Sequence, residues 1–287
     1  MASRAAAIAA GAWGLLAPLT AIRFSMNATF RSDDVVLRVG RPTEIVANEI
    51  VAGILTDVGI RGPVLAGFEP LRVGDLTVTA QRFEIADGSP IDWARVGEMA
   101  RVLHDRVDPA EIPSMVPLAD PRSLPWWDFD GLVSSLEASA LITPEMLAAL
   151  HAEVALHADW HELVVADRRV THGDIHPGNV IQTSTGPVLL DWDLLSFAPP
   201  AWDHAPLLGQ AIGPWNLDRQ AYEDFAAGYG RDLSDDPTTR SLARLRDLAA
   251  TLMRVRAAHR DPSQGEEAQL RLKYWVDGSI PRPWFAQ

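Results

Sequence analysis

The sequence predicts an α+β fold in two lobes, a small β-rich one over residues 1–87 and a larger, mainly helical one over residues 88–287. Three observations predict it. Short β-runs, "VVLRV" (Val35–Val39) and "LTVTAQRF" (Leu76–Phe83), fall ahead of residue 87. After "ADGSP" (Ala86–Pro90) the apolar residues recur at helical spacing instead. Within that second part, "THGDIHPGNVIQTSTGPVLLDWD" (Thr171–Asp193) reads as a β-hairpin rimmed by polar side chains, as expected of a cleft between lobes.

The elements follow in order. Ala5–Ala21 is uncharged and follows Arg4. It reads as an Ala-rich helix packed on the first lobe. A signal peptide's apolar region is the alternative, but Gly11, Gly14 and Pro18 interrupt the run and the cleavage pattern is poor. A helix capped by Thr43 is expected to about Val58, with Val46, Ile50, Ile54 and Leu55 on one face. "VLAGFEP" (Val64–Pro70) is a further strand candidate. From Asp92, the residues Trp93, Val96, Ala100, Leu103 and Val107 mark a helix. Another starts at Thr143 with Pro144 in its first turn and carries Leu147, Leu150 and Val154. A third, Thr239–His259, carries Leu242, Leu245, Leu248, Leu252 and Val255.

The chain of 287 residues, 47% hydrophobic and 22% charged, is long enough for a sizeable core. It has no cysteine, so disulfides and thiolate metal sites are excluded, and a cytoplasmic location is compatible. A net charge of −13 argues against nucleic-acid binding. It would suit a cationic small molecule, although acidity by itself mainly serves solubility. No stretch is long and apolar enough to imply a membrane span, and no protein partner is expected.

The hairpin gives the site its geometry. "NVIQ" and "VLLDWD" flank the polar loop "TSTGP". Centred on Thr185, the register sets Gln182 against Val188, Ile181 against Leu189 and Val180 against Leu190, and so Asn179 against Asp191. Directly opposed Cα atoms lie about 4.5–5.5 Å apart. An amide oxygen and a carboxylate side by side suit Mg²⁺, which takes one or two protein groups and fills its shell with water and phosphate. Pro177 and Gly178 turn the chain so that Asp174 reaches the same cleft. A carboxylate there is suited to orient and deprotonate an attacking hydroxyl.

"HGDIHPGN" followed by "LLDWD" resembles the catalytic core of the aminoglycoside phosphotransferase family, within the protein-kinase-like fold. The family pattern is H-G-D-x-x-x-x-N, an apolar hairpin, then D-x-D or D-x-G. The resemblance implies that Asp174 is the catalytic aspartate and that Asn179 and Asp191 bind the metal. It implies that His172 steadies the loop and that Asp203, in "WDHA", braces it from the next helix. It spans roughly Ser25 to Pro206. In the first lobe it implies that Arg38 grips phosphate, in place of the usual lysine, with Glu49 as its ion-pair partner. Phe83, Glu84 and Ile85 would form the hinge near the adenine. No G-x-G-x-x-G loop is present. "RFSMNATF" stands in its place, so Ser25, Met26 and Asn27 would offer backbone N–H groups to phosphate. The cofactors implied are ATP, with GTP not excluded, and Mg²⁺.

Eleven residues separate Asp191 from Asp203, too few for a long activation loop. The site is therefore expected to act on a small hydroxylated molecule. In similar enzymes the segment between hinge helix and catalytic loop lines the acceptor pocket. In "PWWDFDG" this nominates Trp126, Trp127, Asp128 and Asp130, with core packing of the tryptophans as the alternative. Two other functions fit the same residues: a metal-dependent phosphoesterase ligated by His172, Asp174 and His176, and a silent nucleotide-binding module. His176 has no assigned role. His157 and His161, four apart, read as a solvated helix face more readily than as a zinc pair.

Overall fold

The computed structural model describes residues 1–24, 27–137 and 139–285, the side chains of residues 42–49 excepted. Helix α1 (Ala2–Ala12) lays Ala5, Ala6, Ala9 and Ala10 on a five-stranded antiparallel sheet. Alanine's short side chain lets this helix approach closely. The sheet comprises β1 (Thr20–Phe24), β2 (Ala28–Ser32) and β3 (Val35–Gly40), then, beyond helix α2 (Pro42–Asp57), β4 (Leu71–Val73) and β5 (Leu76–Arg82). Its spatial order is β1-β2-β3-β5-β4. Phe30, Leu37, Val39, Val78 and Ala80 form its buried face.

Three expectations change here. Val64–Pro70 is not a strand: it makes one isolated bridge, Leu65 to Gln81. Gly67 takes a left-handed φ of 81° and Pro70 lacks an N–H, so a ladder cannot run through them. Pairing starts only at Leu71, with Val78 opposite. Helix α2 begins at Pro42 with Arg41 as N-cap, so Thr43 stands inside the first turn; proline at the first position removes a donor that would be orphaned anyway. Of that helix's expected face, Leu55 is buried and Ile50 and Ile54 are partly buried, with Val51 added; Val46 lies outside the described side chains.

The second part contains α3 (Trp93–Arg106), α4 (Phe129–Leu136), α5 (Pro144–Leu156), α6 (Trp160–Leu163), α7 (Ala201–Ile212), α8 (Arg219–Tyr229), α9 (Pro237–Ala258) and α10 (Gly265–Asp277). Between α6 and α7 lie β6 (Arg169–Thr171), the hairpin β7 (Val180–Thr183) and β8 (Gly186–Leu189), and β9 (Ser196–Ala198), which pairs with β6. Asp92, Thr143 and Asp236 cap α3, α5 and α9 through their side chains. One core gathers α3, α7 and α8; the other gathers α4, α9 and the tryptophans 127, 160 and 202. The connection from β5 to α3 is pinned to the hairpin: Asp87 N donates to Gln182 O at 3.0 Å and Asp92 N to Gln182 Oε1 at 3.0 Å. Among the described residues no helix is long and apolar enough to cross a membrane.

Candidate active site

The hairpin register differs by one residue from the expectation. Val180 pairs with Leu189, Ile181 with Val188 and Thr183 with Gly186, around a two-residue turn at Ser184 and Thr185. Gly186, at φ 112°, and the Thr183 hydroxyl, which donates to Gly186 O at 2.7 Å, close this tighter turn. Asn179 is therefore opposite Leu190, whose N–H donates to Asn179 O at 2.8 Å. Asp191 lies just past the ladder. It adopts φ 62°, ψ 60°, a left-handed conformation that aspartate tolerates better than most side chains. Asn179 and Asp191 nonetheless line one cavity.

The loop before the hairpin is held from below. Asp203, fully buried at the start of α7, accepts from His172 N at 2.9 Å and Gly173 N at 2.6 Å, and pairs with His104 Nε2 at 2.9 Å. Burial works against its charge, but the His104 contact and the loop N–H groups outweigh it, so the carboxyl stays below its usual range. His104, from α3, was not legible as a site residue. Gly173 sits at φ 90°, and a Cβ there would meet Leu194 O at 2.1 Å, so only glycine fits. His172 is fully buried. Its Nδ1 accepts from Asp174 N at 3.1 Å and its Nε2 meets Leu190 O at 2.8 Å, which defines the neutral Nε2–H tautomer. Burial lowers its pKa, consistent with that form. With both ring nitrogens used, His172 has no lone pair for a metal, which removes the His172–Asp174–His176 ligand set.

Asp174 is held by three side chains. Its Oδ1 pairs with Arg246 Nη1 at 3.1 Å; its Oδ2 accepts from Asn179 Nδ2 at 3.2 Å and lies 3.4 Å from His176 Nε2. Arg246 Nη2 also donates to Gly173 O, and its guanidinium stacks on the Trp202 ring at 4.5 Å. Burial raises the Asp174 pKa, but His176, then Arg246 and His172, more than offset it, so the group stays ionised well below the usual carboxylate range. His176 thus acquires a place: Nδ1 accepts from Gly178 N at 3.1 Å, and Nε2 faces Asp174. Asn179 also donates Nδ2 to Asp174 O at 2.9 Å, leaving Oδ1 as its oxygen for a cation.

The first-lobe wall of this cavity is cationic. Arg38, 8% exposed on β3, pairs with Asp191 Oδ1 at 3.3 Å and with Asp193. Asn27 Nδ2 donates to Asp193 Oδ2 at 2.6 Å. Asp193, the second aspartate of the D-W-D run, is thus a clamp between lobes that residue spacing did not single out. Burial and then the Asp193 charge push the Asp191 carboxyl up, against Arg38 and Arg23. Two hard-oxygen side chains on one wall, one a carboxylate crowded by a second, fit a divalent cation such as Mg²⁺. Ser25, Met26 and the Glu49 side chain lie outside the described residues.

The hinge and acceptor candidates are distributed differently. Phe83 N donates to Asp34 O at 2.7 Å, and Arg31 covers the Phe83 ring at 3.6 Å. Glu84 borders a separate recess with Arg61 and Val64, and Ile85 is exposed. None of the three is among the described residues lining the Asn179–Asp191 cavity. A second cavity is bordered by Asp174 and lined also by Trp126, Trp127, His176, Trp215, Arg246 and Asp247. Trp127 is at the same time core, with its ring 4.6 Å from Trp202. Asp128 and Asp130 do not line that cavity: Asp128 caps α4 by accepting from Gly131 N at 3.1 Å, and Asp130 is exposed in its first turn. His157 Nδ1 bonds the Ser241 hydroxyl at 2.8 Å, a half-buried helix contact.

Comparison with known proteins agrees with this architecture. A choline/ethanolamine kinase family protein from Mesorhizobium loti is 19% identical, with TM-score 0.64, covering 96% of this chain and 95% of that one. An amicoumacin kinase in complex with AMP-PNP, Ca²⁺ and Ami is 14% identical, with TM-score 0.68 and 97% coverage of both chains. An aminoglycoside phosphotransferase from Streptomyces rimosus is 21% identical, with TM-score 0.59, covering 85% of this chain and 98% of that one. At these identities the likeness establishes the kinase-like fold. No curated protein sequence matches significantly. A model of the phosphotransferase enzyme family matches residues 84–248, more than half of the chain and a span that includes Asp174, Asn179, Asp191 and Arg246. The chain belongs to the phosphotransferase enzyme family.

Proposed function

We propose that this protein is an ATP- and Mg²⁺-dependent kinase that phosphorylates a hydroxyl group of a small molecule. One observation carries the reading: the Asp174 carboxylate borders one cavity while its hydrogen-bond partner Asn179, with Asp191, borders the next. A base on the acceptor side and oxygen ligands on the nucleotide side are what in-line phosphoryl transfer requires. Asp174 orients the acceptor hydroxyl and takes its proton. Arg246 and His176 hold that carboxylate ionised and pointed, and Arg38 contacts phosphate. Mg²⁺, held by Asn179 and Asp191, would neutralise charge on the phosphate oxygens. Reliance on ATP makes the cytoplasm the compartment this reading requires.

The acceptor enters through the cavity of Trp126 and Trp215. Tryptophan faces suit stacking on a sugar ring or an ammonium group. Among the described lining residues the carboxylates are Asp174 and Asp247, balanced by Arg23 and Arg246. With Asp247 held largely protonated by burial, the wall carries no excess of negative charge, which favours a neutral or singly charged hydroxylated acceptor, of sugar or amino alcohol type, over a polycationic aminoglycoside. The test is ADP release with MgATP against a panel of sugars, amino alcohols and aminoglycosides, with Asp174→Asn as control. Acceptor-dependent turnover falling by about 10²–10⁴-fold in the variant is expected for a lost general base. Undiminished turnover in Asp174→Asn would defeat the mechanism. Nucleotide binding without turnover on any acceptor would favour a silent binding module.

A further inference from the structure

The proposed reaction carries a phosphoryl group from the first cavity to the second, so a side chain on the wall of both is placed to touch it in transit. Among the described residues, Arg23 alone lines both cavities. Its situation differs from that of the other two arginines. Arg38 and Arg246 are nearly buried and committed to carboxylates of the site. Arg23 sits near the end of β1, paired with Thr29, which also lines the first cavity. Its side chain is 46% exposed, and its Nη1 comes no nearer than 3.9 Å to Asp191 Oδ2. Such a long, half-exposed pair is weak, so exchanging it for a phosphate oxygen costs little.

We propose that Arg23 is a catalytic residue whose guanidinium contacts the γ-phosphoryl oxygens as the group passes from nucleotide to acceptor. The proposal rests on the phosphotransferase reading above. In the step, the acceptor oxygen bonds to the γ-phosphorus while the bond from that phosphorus to the β,γ-bridging oxygen breaks. The electron pair of the broken bond stays on ADP, and the acceptor proton passes to Asp174 and then to solvent. Charge in this transition state is spread over the three equatorial oxygens of the transferring group. A forked guanidinium can donate to two of them at once, which an ammonium cannot match. The β1 position lets Arg23 reach the group from the first lobe, and it shares the second cavity with Asp174.

The test uses Arg23→Gln and Arg23→Lys in the full chain, with unchanged melting temperatures as the control for folding. Affinities for MgADP and MgAMP-PNP are measured by calorimetry, together with turnover of MgATP with water as acceptor. Arg23→Gln should weaken MgAMP-PNP about tenfold, as loss of a charge-assisted hydrogen bond implies, while MgADP affinity stays unchanged. Turnover should fall by about 10²–10³-fold, with Arg23→Lys in between. Lost turnover with both affinities intact would equally support a contact made only in the transition state. Equal weakening of both nucleotides, tighter binding with turnover retained, or no change in any measurement would overturn the assignment. A wild-type protein that binds neither nucleotide would instead overturn the phosphotransferase reading itself.

Discussion

Asp247 lines the cavity proposed to take the acceptor but is only 5% exposed, and it accepts from Trp215 Nε1 at 2.6 Å. Burial pushes its carboxyl up to about 7, against Trp215, Arg244 and Arg271, which pull it down. The sign of the consequence follows from linkage. A carboxyl with an ordinary value of 3.8 that titrates at about 7 in the fold holds its proton more tightly when folded. The folded state then binds more protons between these values, so stability falls as pH rises through that window and stays lowered above it. A difference of about three pH units corresponds to on the order of 4 kcal/mol. Whole-domain stabilities are only about 5–15 kcal/mol, so the effect is measurable. Asp247→Asn keeps the side chain's shape and an acceptor oxygen for Trp215, but never ionises. Urea unfolding of both proteins, followed by tryptophan fluorescence, isolates this group because the other titrations cancel in the difference. The variant should match the wild type near about pH 4 and exceed it by on the order of 4 kcal/mol at about pH 8. A difference that stays flat with pH, or a wild type that gains on the variant as pH rises, would refute the argument. The latter would mean that Arg244 and Arg271 hold the carboxylate ionised.

Arg246→Gln should lower turnover by about a hundredfold, the order expected when a reacting group loses its orientation, while MgADP affinity is unchanged. Because Arg246 helps hold the Asp174 pKa down, the acid limb of the variant's pH–rate profile should also move to higher pH; an unmoved limb would deny Arg246 this role. Asp203→Ala strands His104 and two loop N–H groups in the interior and should cost about 3–5 kcal/mol of stability, read as a fall in urea midpoint. A cost below about 1 kcal/mol would mean that the loop is not braced from α7.

What was legible in the sequence depended on how far apart the cooperating residues lie. Asp174, Asn179 and Asp191 fall within one short stretch, where turn chemistry and strand pairing bring them together without help from the rest of the chain. Even there the hairpin slipped by one residue, because Gly186 closes a two-residue turn that a symmetric loop centred on Thr185 does not anticipate. The strand expected at Val64–Pro70 failed for a related reason: apolar content suggested a ladder that Gly67 and Pro70 do not permit. Arg23, His104, Arg246 and Asp247 reach the site from β1, α3 and α9, and no local pattern marks them. A trace exists in α9, where Asp247, Thr251 and Arg254 are buried at the spacing of one helix face. Polar residues on a face that must be buried require partners; Thr251 and Arg254 find theirs in Trp275 and Gln264, and only Asp247 leads, through Trp215, to the cavity beside Asp174.

The same distinction between global and local properties bears on the substrate. A net charge of −13 made a cationic acceptor attractive, but net charge acts at long range and is screened within about 8–10 Å in physiological salt. Recognition is decided by the groups that touch the ligand. Asp128 and Asp130, which would have made the cavity strongly acidic, are spent on a helix cap and on solvent. Asp174 is paired with Arg246, and burial holds Asp247 largely protonated below about 7. The surface acidity therefore says little about the acceptor. On the proposed reading, the faces of Trp126 and Trp215, beside one paired and one reluctantly ionised carboxylate, would suit a ligand recognised chiefly by ring faces and hydroxyl groups.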